Sequence, residues 1–192
     1  MTKRLGLLID QERCIGCEAC TVACSIENNA TTPWIQVETQ NVAQNDTPTG
    51  QFPNLRMDFL PRLCNHCSNP PCKDACPKEA LMKREDGPVV LDEKKCDGCK
   101  VCIDACPYNV IHYNQQKNII EKCNLCPHRI DQGLEPFCVI CCEGQAIYFG
   151  NLNDPNSEIS QIIAQKKTFQ LKPEAGTAPS VYYLPLKPKR KL

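Results

Sequence analysis

The sequence predicts an α+β chain in which short strands alternate with cysteine-bearing loops and single helical turns. Three observations carry that reading. Four copies of one cysteine motif recur along 192 residues and use sixteen of the seventeen cysteines. In each copy the last cysteine lies four residues beyond the one before it, about one turn of helix. Near the copies stand short runs of apolar or β-branched residues that suit strands. The length fits one compact domain or two small fused ones.

A first strand is expected at Leu5 to Ile9, followed by Cys14-x2-Cys17-x2-Cys20-x3-Cys24. Residues 25–60 are polar and without a strong period. They hold the only tryptophan, Trp34, a local hydrophobic anchor or a partner-facing residue. The second copy is Cys64-x2-Cys67-x4-Cys72-x3-Cys76-Pro77, and a strand is expected at Val89 to Leu91. The third is Cys96-x2-Cys99-x2-Cys102-x3-Cys106-Pro107, with strands at Val110 to Tyr113 and Ile119 to Glu121. The fourth is looser: Cys123-x2-Cys126, eleven residues, Cys138-x3-Cys142, then a strand at Ala146 to Phe149. Residues 151–192 carry no motif. Glu158 to Gln165 fits a short amphipathic helix with Ile159, Ile162 and Ile163 on one face. A proline-rich stretch with Val181-Tyr182-Tyr183-Leu184 follows, and this tail packs on another subunit or on the chain's own surface.

The spacing has a chemical reason. Three thiolates on one tight loop can wrap one face of a 4Fe–4S cubane, and a fourth cysteine one turn on reaches a neighbouring cluster. Proline after it ends the turn. Cys72 to Pro77 matches Cys102 to Pro107 in five of six positions. Disulfides fit poorly: the count is odd, members of the tight runs pair badly, and Met1 to Asp10 lacks the apolar run of a secretory signal. Structural zinc usually takes two separated cysteine pairs and needs no third and fourth cysteine at this spacing.

Composition narrows the function classes. No apolar run approaches a bilayer span. The formal charge is zero, but sixteen thiolates against four doubly positive cores leave roughly eight negative charges. Nucleic-acid binding is therefore not expected, and the basic end Lys187-Pro188-Lys189-Arg190-Lys191 reads as a solvated or partner-bound tail. His66, His112 and His128 are expected to hydrogen-bond or pack rather than ligate. Lys73, Lys94, Lys95, Lys100, Lys122 and Arg129 stand near ligands, either offsetting cluster charge or simply solvated. No nucleophile–base set or nucleotide loop stands out, so chemistry on a substrate needs a separate catalytic partner.

Cys64-Asn65-His66-Cys67-Ser68-Asn69-Pro70-Pro71-Cys72 resembles a CxHCxxPPC signature, and Lys122 to Cys138 resembles KCxxCxHRxxxGxxPxC. Both belong to the four-cluster iron–sulfur subunits of the dimethyl sulfoxide reductase superfamily of molybdenum or tungsten enzymes. Lys172 to Pro179 is similar to the tail of the arsenate and polysulfide reductase branch. The resemblance implies two ferredoxin-like lobes, a duplicated two-cluster ferredoxin fold. Residues 1–30 with 115–150 form the outer lobe and 61–114 the inner. Residues 31–60 are an insert, and 151–192 are an extended tail in contact with a subunit.

It also implies the ligand sets. One cluster takes Cys14, Cys17, Cys20 and Cys142, and its lobe-mate takes Cys24, Cys123, Cys126 and Cys138. In the inner lobe one takes Cys64, Cys67, Cys72 and Cys106, the other Cys76, Cys96, Cys99 and Cys102. The Cys14 cluster would face a large molybdopterin catalytic subunit. The Cys96 cluster would face an external donor or acceptor, with a membrane subunit among the candidates. Some relatives carry Trp at the Cys99 position and a three-iron cluster there; this chain keeps cysteine, so four 4Fe–4S clusters are expected. Two features depart from the pattern. Glu143, not proline, follows Cys142, and Cys141 is a spare. The other copies hold Ala23, Ala75 and Ala105 at the spare's position, so Cys141 is expected to be a buried thiol and not a ligand. A free-standing polyferredoxin and the iron–sulfur subunit of a hydrogenase or formate complex are the competing functions. The expected compartment is cytoplasmic, or periplasmic by co-export with a partner.

Overall fold

The computed structural model describes residues 2–40 and 47–187. Pro188 to Leu192, most of the basic end, and residues 41–46 of the insert lie outside the described residues. Strand β1 (Leu5–Asp10) is apolar and buried through Ile9. Helix α1 (Ala19–Asn28) opens at left-handed Glu18 and closes at left-handed Asn29, whose N–H returns to the last turn. A hairpin of the polar strand β2 (Gln36–Gln40) and the largely buried strand β3 (Asp58–Arg62) leads into Cys64. Helix α2 (Pro71–Asp74) begins on a proline, whose fixed φ suits a first turn.

Three-residue strands β4 (Leu81–Lys83) and β5 (Val89–Leu91) form the next hairpin. Helix α3 (Val101–Ala105) carries Cys102. A third hairpin, β6 (His112–Asn114) with β7 (Ile119–Glu121), returns the chain to Cys123. Short helices α4 (Pro127–Ile130) and α5 (Phe137–Ile140) precede β8 (Ile147–Asn151). Helix α6 (Glu158–Gln165) is capped by Ser157, whose hydroxyl accepts from the Ser160 N–H. A 3-10 turn at Pro173–Ala175 and strand β9 (Val181–Leu184) complete the described chain.

The largest sheet has the order β8-β1-β9. β8 runs antiparallel to β1, with Leu5 opposite Asn151 and Ile9 opposite Ile147. β9 runs parallel, with Leu7 opposite Val181 and Asp10 opposite Leu184. A central strand covered on both faces is a continuous apolar run, which is why β1 reads Leu-Gly-Leu-Leu-Ile. Ile159 of α6 is fully buried against Leu8 and Leu184. Gly150 lets α6 sit this close, since a Cβ there would stand 2.7 Å from an Ile159 methyl. The principal core mixes aliphatic side chains with ligand-type cysteines.

The outcome is a mixed α/β fold of small sheets and short helices. The expected strands at residues 5–9, 89–91, 110–113, 119–121 and 146–149 are present, some shifted by a residue or two, as is the expected helix at 158–165. Two regions gain definition. Residues 25–60, polar and without a strong period, contain the β2–β3 hairpin. Their hydrophobic members cover cysteines: Trp34 packs on the core and Phe59 lies against Gly16. The tail packs on its own chain, since β9 joins the main sheet and the Tyr183 hydroxyl donates to the Pro61 carbonyl at 3.0 Å. Among the described residues no helix is long and apolar enough to cross a membrane.

Candidate metal centres

The residue before the second cysteine of each run adopts a left-handed conformation: Gly16 (φ 68°), His66 (43°), Gly98 (73°) and Leu125 (62°). This turn folds each loop back on itself so that its thiols face one point. Glycine adopts it freely, whereas His66 and Leu125 hold it only because their side chains are locked in the core.

The thiols of Cys14, Cys17, Cys20 and Cys142 line one cavity of about 330 Å³. Cys24, Cys123, Cys126 and Cys138 line a second of about 320 Å³, with Trp34 and Ile35 in its wall. Cys64, Cys67, Cys72 and Cys106 line a third of about 310 Å³. Cys76, Cys96 and Cys99 surround Cys102 closely enough to act on its thiol electrostatically. Helical turns couple neighbours, because Cys20 and Cys24 lie on α1, while Cys102 on α3 is one turn from Cys106. Cys138 is also within electrostatic reach of Cys20, and Cys123 of Cys64. The order in space is therefore the Cys14 group, the Cys24 group, the Cys64 group and the Cys96 group.

Burial sets the protonation of these thiols. It pushes Cys20 and Cys72 up to about 12 and Cys102 up to about 11. Cys123 and Cys138 are driven well above the ordinary thiol range by the same desolvation. A thiol this buried needs a bound cation beside it to ionise, so these sulfurs stay protonated without one. The donor set fits iron–sulfur clusters, with four soft sulfurs around an apolar cavity at each of three sites. Amide donors already face some sulfurs: Ala80 N–H to Cys76 Sγ at 3.3 Å and Ala146 N–H to Cys142 Sγ at 3.2 Å.

The other expected residues sort clearly. His66, His112 and His128 line none of the three cavities. His66 accepts the Val89 N–H at Nδ1, and burial holds its pKa far below the usual value. His128 is exposed and bonds Glu27 at 2.7 Å. Lys73, Lys94, Lys95 and Lys100 are solvated and Arg129 is half-buried. Lys122 is buried, its ammonium donating to the Val89 and Cys123 carbonyls. A half-buried lysine, Lys83, escaped the sequence reading because no cysteine is near it in the chain. It donates to the His66 and Gly87 carbonyls, and desolvation lowers its pKa to about 8. Cys141 is half-buried rather than buried. Its position in the turn is one that Ala75 and Ala105 also leave partly open. Cys142, not Cys141, lines the Cys14 cavity.

Residues 55–152 match the 4Fe-4S dicluster domain family, and residues 5–25 match a 4Fe-4S binding domain. The chain is similar to a tetrathionate reductase subunit of Salmonella typhimurium, at 43% identity over 95% of this chain and 73% of that one. It is 35% identical to the arsenate respiratory reductase iron–sulfur subunit ArrB of a Shewanella species, over 94% of this chain and 96% of that one. It is 41% identical to a Halobacterium salinarum protein named as the iron–sulfur subunit of a dimethyl sulfoxide reductase, over 93% and 78%. Cysteine loops, apolar cavities and relatives agree: the chain belongs to the iron–sulfur subunits of the dimethyl sulfoxide reductase family, electron-transfer proteins whose catalytic part is another subunit.

Proposed function

We propose that this protein holds four 4Fe–4S clusters in a row and relays electrons between a molybdopterin catalytic subunit, with molybdenum or tungsten, and an external donor or acceptor. Each bound cluster takes up and releases one electron at a time. Cys14, Cys17, Cys20 and Cys142 hold the first, and Cys24, Cys123, Cys126 and Cys138 the second. Cys64, Cys67, Cys72 and Cys106 hold the third, and Cys76, Cys96, Cys99 and Cys102 the fourth. Cys141 stays unliganded. The first two centres make an outer ferredoxin-like lobe from residues 1–30 and 115–150, and the last two an inner lobe from 61–114.

One observation carries the relay reading. All eight thiols of the two middle groups are buried, whereas each end group has one exposed thiol, Cys17 or Cys99. A relay needs contact with partners at its ends and insulation between them. The Cys14 end is assigned to the catalytic subunit and the Cys96 end to the external partner, a membrane subunit where the complex is membrane-attached.

Anaerobic co-purification with the catalytic subunit tests this. About sixteen irons and about sixteen sulfides per chain are expected, with four one-electron steps in a redox titration followed by electron paramagnetic resonance. Stoichiometric zinc in a fully loaded preparation, or iron short of three clusters, overturns it.

A further inference from the structure

Residues 172–180 carry no cysteine, yet they are fastened to both loops that present Cys64, Cys67 and Cys106. The Lys172 ammonium donates to the Pro107 carbonyl, next to Cys106. The Ser68 N–H donates to the Ala178 carbonyl at 2.9 Å and the Asn69 N–H to the Thr177 carbonyl at 3.1 Å. The Ser180 N–H donates to the Asn65 carbonyl at 2.8 Å. This strap brings one side chain inward. Thr177 is 4% exposed, and its hydroxyl lies 2.5 Å from that of Tyr108, which is 2% exposed and lines the Cys64 cavity. Thr177 stands against the Cys64–Cys67 loop, because the Asn69 N–H donates to its carbonyl, and both hydroxyls bear on the Cys67 thiol electrostatically.

A metal-bound cysteine sulfur can only accept. Either hydroxyl can be the donor within the pair; with the protons running toward the sulfur, Tyr108 donates to the Thr177 oxygen and the Thr177 hydroxyl donates to Cys67. Reduction adds negative charge that is shared by the sulfurs, so a donor at sulfur favours the reduced state and raises the potential. Two hydroxyls in series polarise each other, and the low local dielectric strengthens both bonds.

We infer that Thr177, oriented by Tyr108, is a tuning residue of the Cys64 centre, and that the C-terminal strap sets the potential of this buried station by donating to Cys67. The inference rests on the assignment of a 4Fe–4S cluster to Cys64, Cys67, Cys72 and Cys106. The test is a redox titration, followed by electron paramagnetic resonance, of the complete complex carrying Thr177→Val. Iron content should stay at the wild-type level. One of the four transitions should become roughly tenfold harder to reduce, about 59 mV for a one-electron couple, while the other three stay in place. Thr177→Ser should restore it, and Tyr108→Phe should shift the same transition by less. Four unmoved potentials with iron intact overturn the inference. If Thr177→Val sheds iron, Tyr108→Phe decides, because it leaves the strap's backbone bonds whole: a shift of one transition supports the inference and no shift overturns it. Fewer than four transitions in the wild type mark a failure of the cluster assignment instead.

Discussion

The end centres and the middle centres are made from the same motif and differ in what stands between the first two cysteines. At the ends the loops read Cys-Ile-Gly-Cys and Cys-Asp-Gly-Cys, and in the middle they read Cys-Asn-His-Cys and Cys-Asn-Leu-Cys. All four turn left-handed at the third residue. Where that residue is glycine, the loop stays open and Cys17 or Cys99 reaches solvent. Where it is His66 or Leu125, a side chain only 1% exposed fills the turn and every thiol is covered. The middle centres also recruit chain from outside the motifs: Trp34 and Ile35 wall the Cys24 cavity, and the strap from the tail flanks the Cys64 cavity. One residue in each loop, together with its cover, separates a loop with one exposed thiol from a loop whose thiols are all buried.

Ligand removal should break this comparison most visibly. Cys123→Ala strips a ligand from the interior beside the Cys64 group, and should cost about eight irons, from two clusters, with broad destabilisation. Cys99→Ala acts at an exposed site and should cost about four irons at most, leaving the other clusters' spectra unchanged. Iron analysis of the two purified complexes checks this; equal losses would erase the distinction between end and middle. The loop residues give a smaller effect. Leu125→Ala should destabilise by roughly 2–5 kcal/mol, as a buried leucine does when truncated, and should make a middle cluster more open to oxidants. Gly98→Ala should cost roughly 1–3 kcal/mol for the opposite reason, since its new Cβ would sit 2.6 Å from the Asn118 carbonyl oxygen. Its damage should stay with the Cys96 centre, as read by thermal denaturation alongside cluster spectra.

The smallest effect concerns the join between the two middle centres. Arg84, between β4 and β5, pairs with Asp131 after α4 at 2.5 and 3.1 Å. The guanidinium holds the Asp131 carboxyl below the usual carboxylate range. A lowered folded pKa stabilises above the unfolded value of about 3.9 and loses its effect as pH falls through the folded one. Asp131→Asn should therefore lower the melting temperature slightly, and by the same amount at pH 5 and pH 8. A difference that grew across that range would mean another group titrates at this join.

The cysteine spacing made the site legible because metal ligation fixes distances along the chain. Val89–Leu91, Ile119–Glu121 and the helix Glu158–Gln165 were legible because their apolar pattern is local. The β2–β3 hairpin was not: Gln-Val-Glu-Thr-Gln is polar and largely solvated, so its pairing with residues 58–62 leaves no local trace. The place of Val181–Leu184 was hidden for a different reason. Its apolar character is plain, but its parallel partner lies at the other end of the chain. The Gly-against-His or Leu difference between loops was present in the four motifs. Its meaning emerged only when burial was seen, since spacing alone treats the four copies as equals.

Strand β1 has both its neighbours, β8 and β9, in the last quarter of the chain. During synthesis the N-terminal strand therefore waits unpaired until residues 147–151 and then 181–184 have emerged. Cys142 must arrive before the Cys14 cavity has its fourth wall. Pairings this distant in sequence close late and slowly. The order of biogenesis follows: the Cys96 group, drawn from residues 76–102, is complete well before the Cys14 group, so cluster loading can proceed from the middle of the chain outward. The sheet closes last, once residues 181–184 have emerged to pair with β1.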